Sequence, residues 1–154
     1  LKRTAEKLQP YGIQLVKHNH EFELEKVTDR DGKEKYILDI FLEQTMPAEL
    51  MLEADTGWIA YAGLDPKQFI EEKLDRLYAI HLKDISKEYR TKPRDYVSTA
   101  CGTGVVDFRA VLKAVPEEKR EKVLWLLDQD TSEGDILSDH LQSMRYINQL
   151  EKEL

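Results

Sequence analysis

Four short apolar runs recur along the chain, and each ends in a polar cluster before a helical pattern begins. Ile13 to Lys17 runs into His18-Asn19-His20, and Leu50 to Ala54 runs into Asp55-Thr56-Gly57-Trp58. Leu77 to Ile80 runs into His81-Leu82-Lys83-Asp84, and Val123 to Leu127 into Asp128-Gln129-Asp130. Runs of this length, bounded by polar residues, read as strands. The segments between them carry helical signals. Asp65-Pro66 opens a helix through Lys73, with proline at its first position, and Asp107 caps one through Val115. A long amphipathic helix from Leu137 to Leu150 has Leu137, Leu141, Met144 and Leu150 among its apolar positions. Ile37 to Glu43 forms a shorter helix after a hairpin over Phe22 to Tyr36, tipped by Asp31-Gly32.

Strand, loop and helix repeated four times predicts α/β architecture with a parallel sheet. A (β/α)8 barrel needs eight strands and ~250 residues, and this chain of 154 residues offers four units. The first residues, LKRTAEKLQPYG, read as the end of a helix, with Leu1, Ala5 and Leu8 on one face and Pro10 with Gly12 as its stop. The expectation is a single domain over residues 1–154: the C-terminal half of a (β/α)8 barrel, completed by a missing N-terminal half-barrel or by a second copy in a homodimer.

Composition narrows the class. The net charge of −7 argues against nucleic acid, whose binders carry a basic stripe. One cysteine, Cys101, rules out an internal disulfide and a cysteine-rich zinc site. No apolar run approaches the ~20 residues of a membrane span, and no signal peptide is visible. A cytoplasmic protein without a membrane partner is the expectation.

Strand alternation assigns His18 with His20, Glu53 with Asp55, His81 with Lys83, and Asp128 with Asp130 to common faces. In a barrel all four pairs point toward the mouth at the C-terminal strand ends, where active sites of this architecture lie. A ring of imidazoles and carboxylates suits a divalent ion such as Mn²⁺, Co²⁺, Zn²⁺ or Mg²⁺. Asp84 falls off the inward face and reads as structural, as do Gly102 and Gly104. Arg90, Lys92 and Arg94 read as a solvated loop.

The ordered motifs resemble the sugar phosphate isomerase/epimerase family of xylose isomerase-like barrels over nearly the whole chain. GIQLVKHNHEF (Gly12 to Phe22) is similar to a branch with His-Asn-His on its fifth strand, and LEADTGWIAYAGLDP (Leu52 to Pro66) to the sixth-strand pattern. Asp75-Arg76 with IHLKD (Ile80 to Asp84), GTGVVDF (Gly102 to Phe108) and LDQDTSEGD (Leu127 to Asp135) resemble the later motifs. The resemblance implies a divalent metal on His18, Asp55, His81 and Asp128, where His18 and Asp128 stand at positions that hold Glu in relatives. It further implies catalytic roles for Asp128, His18 and Lys83, and substrate contacts for His20, Trp58 and Asp130. The implied activity is isomerisation or epimerisation of a sugar, keto-sugar or inositol derivative through an enediolate. A non-catalytic sugar-binding relative, a keto-inositol dehydratase and an abasic-site endonuclease are the alternatives.

Overall fold

A computed structural model describes residues 1–154. After α1 (Lys2–Leu8) and a 3-10 turn ending at left-handed Gly12, strand β1 (Val16–His18) enters the sheet. The hairpin β2 (Lys26–Thr28) and β3 (Glu34–Tyr36) follows, then α2 (Ile37–Glu43), β4 (Met51–Asp55), α3 (Thr56–Tyr61) and α4 (Pro66–Glu72). Strand β5 (Leu77–Leu82) leads into the small ribbon β6 (Asp84–Ile85) and β7 (Ser98–Thr99). The chain ends with α5 (Phe108–Ala114), α6 (Glu117–Arg120), β8 (Leu124–Leu127) and α7 (Ile136–Lys152).

The main sheet has the order β1-β4-β5-β8, and every pairing in it is parallel. Consecutive neighbours joined by helical crossovers are the barrel arrangement. Leu52, Ala54, Ile80 and Leu82 point to the helical side, where they pack with Ile59, Ile70, Phe108, Val111 and Ile147 in the main core. The other face carries Glu53, Asp55, His81 and the exposed Leu124 and Leu126. The register shifts between Leu52 and Glu53, so that Glu53 lies beside Ala79 and Asp55 beside His81. Arg76, just before β5, donates to the carbonyls of Leu42, Thr45 and Leu50 and so ties the α2–β4 connection to the sheet.

The caps fall where the sequence places them: Asp65 accepts from Lys67 N–H and Asp107 from Ala110 N–H. Two expectations need correction. The hairpin begins at Lys26 rather than Phe22, because Glu21–Leu24 is a 3-10 turn. It is closed by Glu23, whose carboxylate accepts from His20 N–H and pairs with Lys17. In α7 the buried stripe is Ser143, Ile147 and Leu150, while Leu137 (70% exposed), Leu141 and Met144 face outward. Ser143 wins its place by accepting from Cys101 N–H and donating to Asp139 C=O.

Candidate metal centre

The four strand ends bring their inward residues together as alternation predicts. At the end of β1, His18 and His20 flank Asn19, which is fully buried and accepts from Asp55 N–H through its side-chain oxygen at 3.0 Å. The middle residue of the His-Asn-His motif therefore locks the end of β1 to β4, with His18 beside Asp55 and His20 packed between Phe22 and Trp58. Asp55 divides its two oxygens. Oδ1 accepts from Trp58 N–H as the N-cap of α3, and Oδ2 is buried without a hydrogen-bond partner. That oxygen lies 3.9 Å from His18 Nε2, 3.7 Å from His81 Nδ1 and 3.5 Å from the Lys83 ammonium. The ligand atoms of His18, Asp55 and His81 all fall within 4.8 Å of one another. A buried anionic oxygen without a hydrogen bond is costly, and two imidazole nitrogens converging on it make a donor set that fits a divalent cation.

Asp128, at the end of β8, lies 3.2 Å from His81 Nδ1. Its carboxylate also accepts from Lys83 Nζ at 2.6 Å, and Asp130 lies 2.8 Å from the same ammonium. Lys83 is only 2% exposed. Its stem runs over Gly57, where an added Cβ would approach Lys83 Cγ to 2.5 Å, so only glycine leaves it room. Thr56 completes the support, accepting from Lys83 N–H while its hydroxyl faces the carbonyls of His81 and Lys83.

The charges bias one another. Burial lowers the pKa of His18, outweighing the pull of Asp55, and leaves the ring neutral near pH 7. Burial also opposes the charged form of His81, but hydrogen bonding to Asp128 and Asp55 and the charge of Glu53 raise its pKa to about 10. The hydrogen bond from His81 holds Asp128 well below the usual carboxylate range, with Lys83 adding to the effect. Lys83 is raised: burial disfavours its ammonium, but Asp55 and Asp128 more than compensate. Because the folded pKa of His81 lies above its unfolded value of ~6.5, its stabilisation is complete below that pH and is lost as pH rises toward 10. With chelator present, the parent's melting temperature is expected to fall across pH 6.5–10 more steeply than that of His81→Gln, as a calorimetric pH series would show.

Trp58, which the resemblance implies as a substrate contact, is enclosed by its neighbours. The indole is 4% exposed, with His20 at 5.4 Å, Lys83 at 5.2 Å and the Arg94 guanidinium at 4.4 Å from its ring. Arg94 is itself held by both oxygens of Glu21, and Lys92 pairs with Glu133, so the basic loop is tethered across the mouth rather than free in solvent. Cys101 is buried with its thiol pushed up to about 12 by burial, which leaves it unreactive. Glu53, to which sequence reasoning attached no role, lies between the two metal-site imidazoles.

No family profile matches the chain. Its structure superposes on a sugar phosphate isomerase/epimerase of Parabacteroides distasonis with a TM-score of 0.70 and 23% identity, covering 94% of this chain and 48% of that one. A xylose isomerase-like TIM-barrel protein of Mycobacterium smegmatis, solved with magnesium, gives a TM-score of 0.63 at 16% identity, with 97% and 47% covered. The fold is thus a portion of a (β/α)8 barrel. Among curated proteins, the inosose dehydratase of Geobacillus thermodenitrificans is 27% identical over 126 residues, or 75% of this chain and 40% of that protein. The chain spans about half the length, or less, of the curated relatives it matches. No helix is long and apolar enough to cross a membrane.

Proposed function

We propose that this chain is the C-terminal half of a barrel enzyme that isomerises or epimerises a sugar, keto-sugar or inositol derivative in the cytoplasm. The observation that carries the reading is the convergence of His18 Nε2 and His81 Nδ1 on Asp55 Oδ2, a buried oxygen without a hydrogen bond, with Asp128 beside them. These four residues would hold a divalent ion. When bound, the ion polarises a substrate carbonyl and acidifies the neighbouring C–H. Lys83 is placed to donate to the oxygen on which negative charge develops, and His20 and Asp130 line the same mouth as substrate contacts.

Proton transfer at carbon belongs to Asp128 in this reading. Asp128 is a weak base while it holds Lys83. A substrate oxygen that draws the Lys83 ammonium toward itself frees the carboxylate to take the proton. The base removes one C–H proton, its electron pair enters an enediolate, and the proton returns to another face or to the adjacent carbon.

A keto-inositol dehydratase is the second reading, favoured by the inosose dehydratases among the relatives. It starts with the same abstraction, but the electron pair then expels a neighbouring hydroxide, which leaves as water with a proton. Incubating candidate ketoses and a keto-inositol with the chain as part of its whole barrel, in deuterium oxide, separates these outcomes. Deuterium in recovered substrate or its isomer supports the first reading, and loss of water supports the second. Neither outcome, with sugar bound unchanged, would leave a binding protein.

A further inference from the structure

Glu53 stands one strand position pair below Asp55, directly across from His18 in the β1–β4 register. Its Oε2 lies 3.2 Å from His18 Nδ1, and its Oε1 lies 3.3 Å from His81 Nε2. The one carboxylate thus meets both rings, on the nitrogens that face away from Asp55. The other two nitrogens, His18 Nε2 and His81 Nδ1, are those that converge on Asp55 Oδ2. Neither contact to Glu53 is aligned as a hydrogen bond, and His18 Nδ1 is buried without a partner.

The local fold makes room for this side chain. The register shift after Leu52 sets Glu53 beside Ala79, whose side chain is a single methyl group. That leaves the carboxylate free to rise between the imidazoles. A ring that ligates a metal through one nitrogen normally donates its other N–H to an acceptor, which fixes the tautomer and aims the lone pair. Here a single acceptor faces both rings.

We propose that Glu53 is the positioning residue of the metal centre: it accepts from His18 Nδ1–H and His81 Nε2–H together, so that His18 Nε2 and His81 Nδ1 present lone pairs to one ion. The proposal rests on the metal-site reading above and adds to it a residue that neither ligates the ion nor touches the substrate.

The test is titration of the full chain with cobalt(II), followed by calorimetry and by the visible spectrum of the bound ion. The variants are Glu53→Gln, Glu53→Asp and Asp55→Asn. Glu53→Gln keeps the length of the side chain but offers one carbonyl oxygen and one amide donor, so it cannot accept from both rings. The expected result is ~10- to 100-fold weaker cobalt binding and an altered spectrum, with part of the loss recovered in Glu53→Asp. Asp55→Asn, which keeps the α3 cap oxygen, should lose binding outright. With zinc bound, imidazole ¹⁵N shifts should place the proton on Nδ1 of His18 and Nε2 of His81 in the parent, and that pattern should break in Glu53→Gln. Parent-like affinity and tautomers in Glu53→Gln would overturn the proposal alone. Failure of the parent to bind cobalt or zinc would overturn it together with the metal-site reading. A Glu53 effect on binding in a protein without sugar turnover would sustain the proposal and remove the catalytic reading.

Discussion

Asp84→Asn is expected to cost the fold about 2–5 kcal/mol, more than any substitution at the mouth that leaves charge balance intact. Asp84 is almost fully buried, and its two oxygens accept four backbone N–H groups. Oδ1 takes those of Ile85 and Val106, and Oδ2 takes those of Gly102 and Gly104. One carboxylate thus staples the β5–β6 junction to the loop that leads into α5. Asparagine keeps one acceptor oxygen and turns an amide donor toward the other two N–H groups, leaving them without an acceptor. Both glycines are held to positions where a side chain would not fit. Gly102 adopts φ +86°, and a Cβ on Gly104 would lie 2.1 Å from Ile85 O and 2.2 Å from Asp84 Oδ1. Urea unfolding should show the lowered midpoint with an unchanged slope, and a melting temperature lower by roughly 5–15 °C. A loss below 1 kcal/mol would mean that the loop rearranges freely.

Lys83→Met is expected to cost about 3–5 kcal/mol at pH 7, because it leaves the buried Asp55 carboxylate, and the part-exposed Asp128 beside it, without their ammonium. Asp55 lies 3.5 Å, Asp128 2.6 Å and Asp130 2.8 Å from Lys83 Nζ. Asp55 has no exposure to solvent, so water cannot take over the neutralisation. Without the ammonium, the depressed pKa of Asp128 rises. The variant then gains stability relative to the parent as pH falls and this carboxylate takes up a proton. Denaturation at pH 7 and pH 4.5 should show the difference between parent and variant shrinking. Added zinc should shrink it at pH 7 as well, since a divalent ion between His18, Asp55 and His81 restores the missing positive charge. A difference that stays constant with pH would show that the lost packing of the lysine stem, not its charge, carries the cost.

Much of this was legible in the sequence because it depends on local periodicity. Strand alternation alone pairs His18 with His20 and Glu53 with Asp55, and adjacent parallel strands then set His18, Asp55, His81 and Asp128 side by side. Helix starts at Asp65 and Asp107 are equally local, since each cap needs only its own next three residues. What escaped depends on distant partners. Trp58 is covered by Arg94, which is held in turn by Glu21, 73 residues away. The exposed and buried stripes of α7 are both plausible on periodicity, and the hydrogen bond between Ser143 and Cys101 decides between them. The position of Glu53 between two imidazoles follows from a shift in register that no pattern of residue types announces.

The sheet has helices on one face only, with Leu124 and Leu126 bare on the other and the outer edges of β1 and β8 unpaired. Both edges can be continued by further parallel strands, which would cover the two leucines. Every candidate ion-holding group travels with these four strands. In a shuffled library of half-barrels this piece would act as a transferable cartridge: its ligand set would stay constant while the opposing half varied the reach and shape of the pocket.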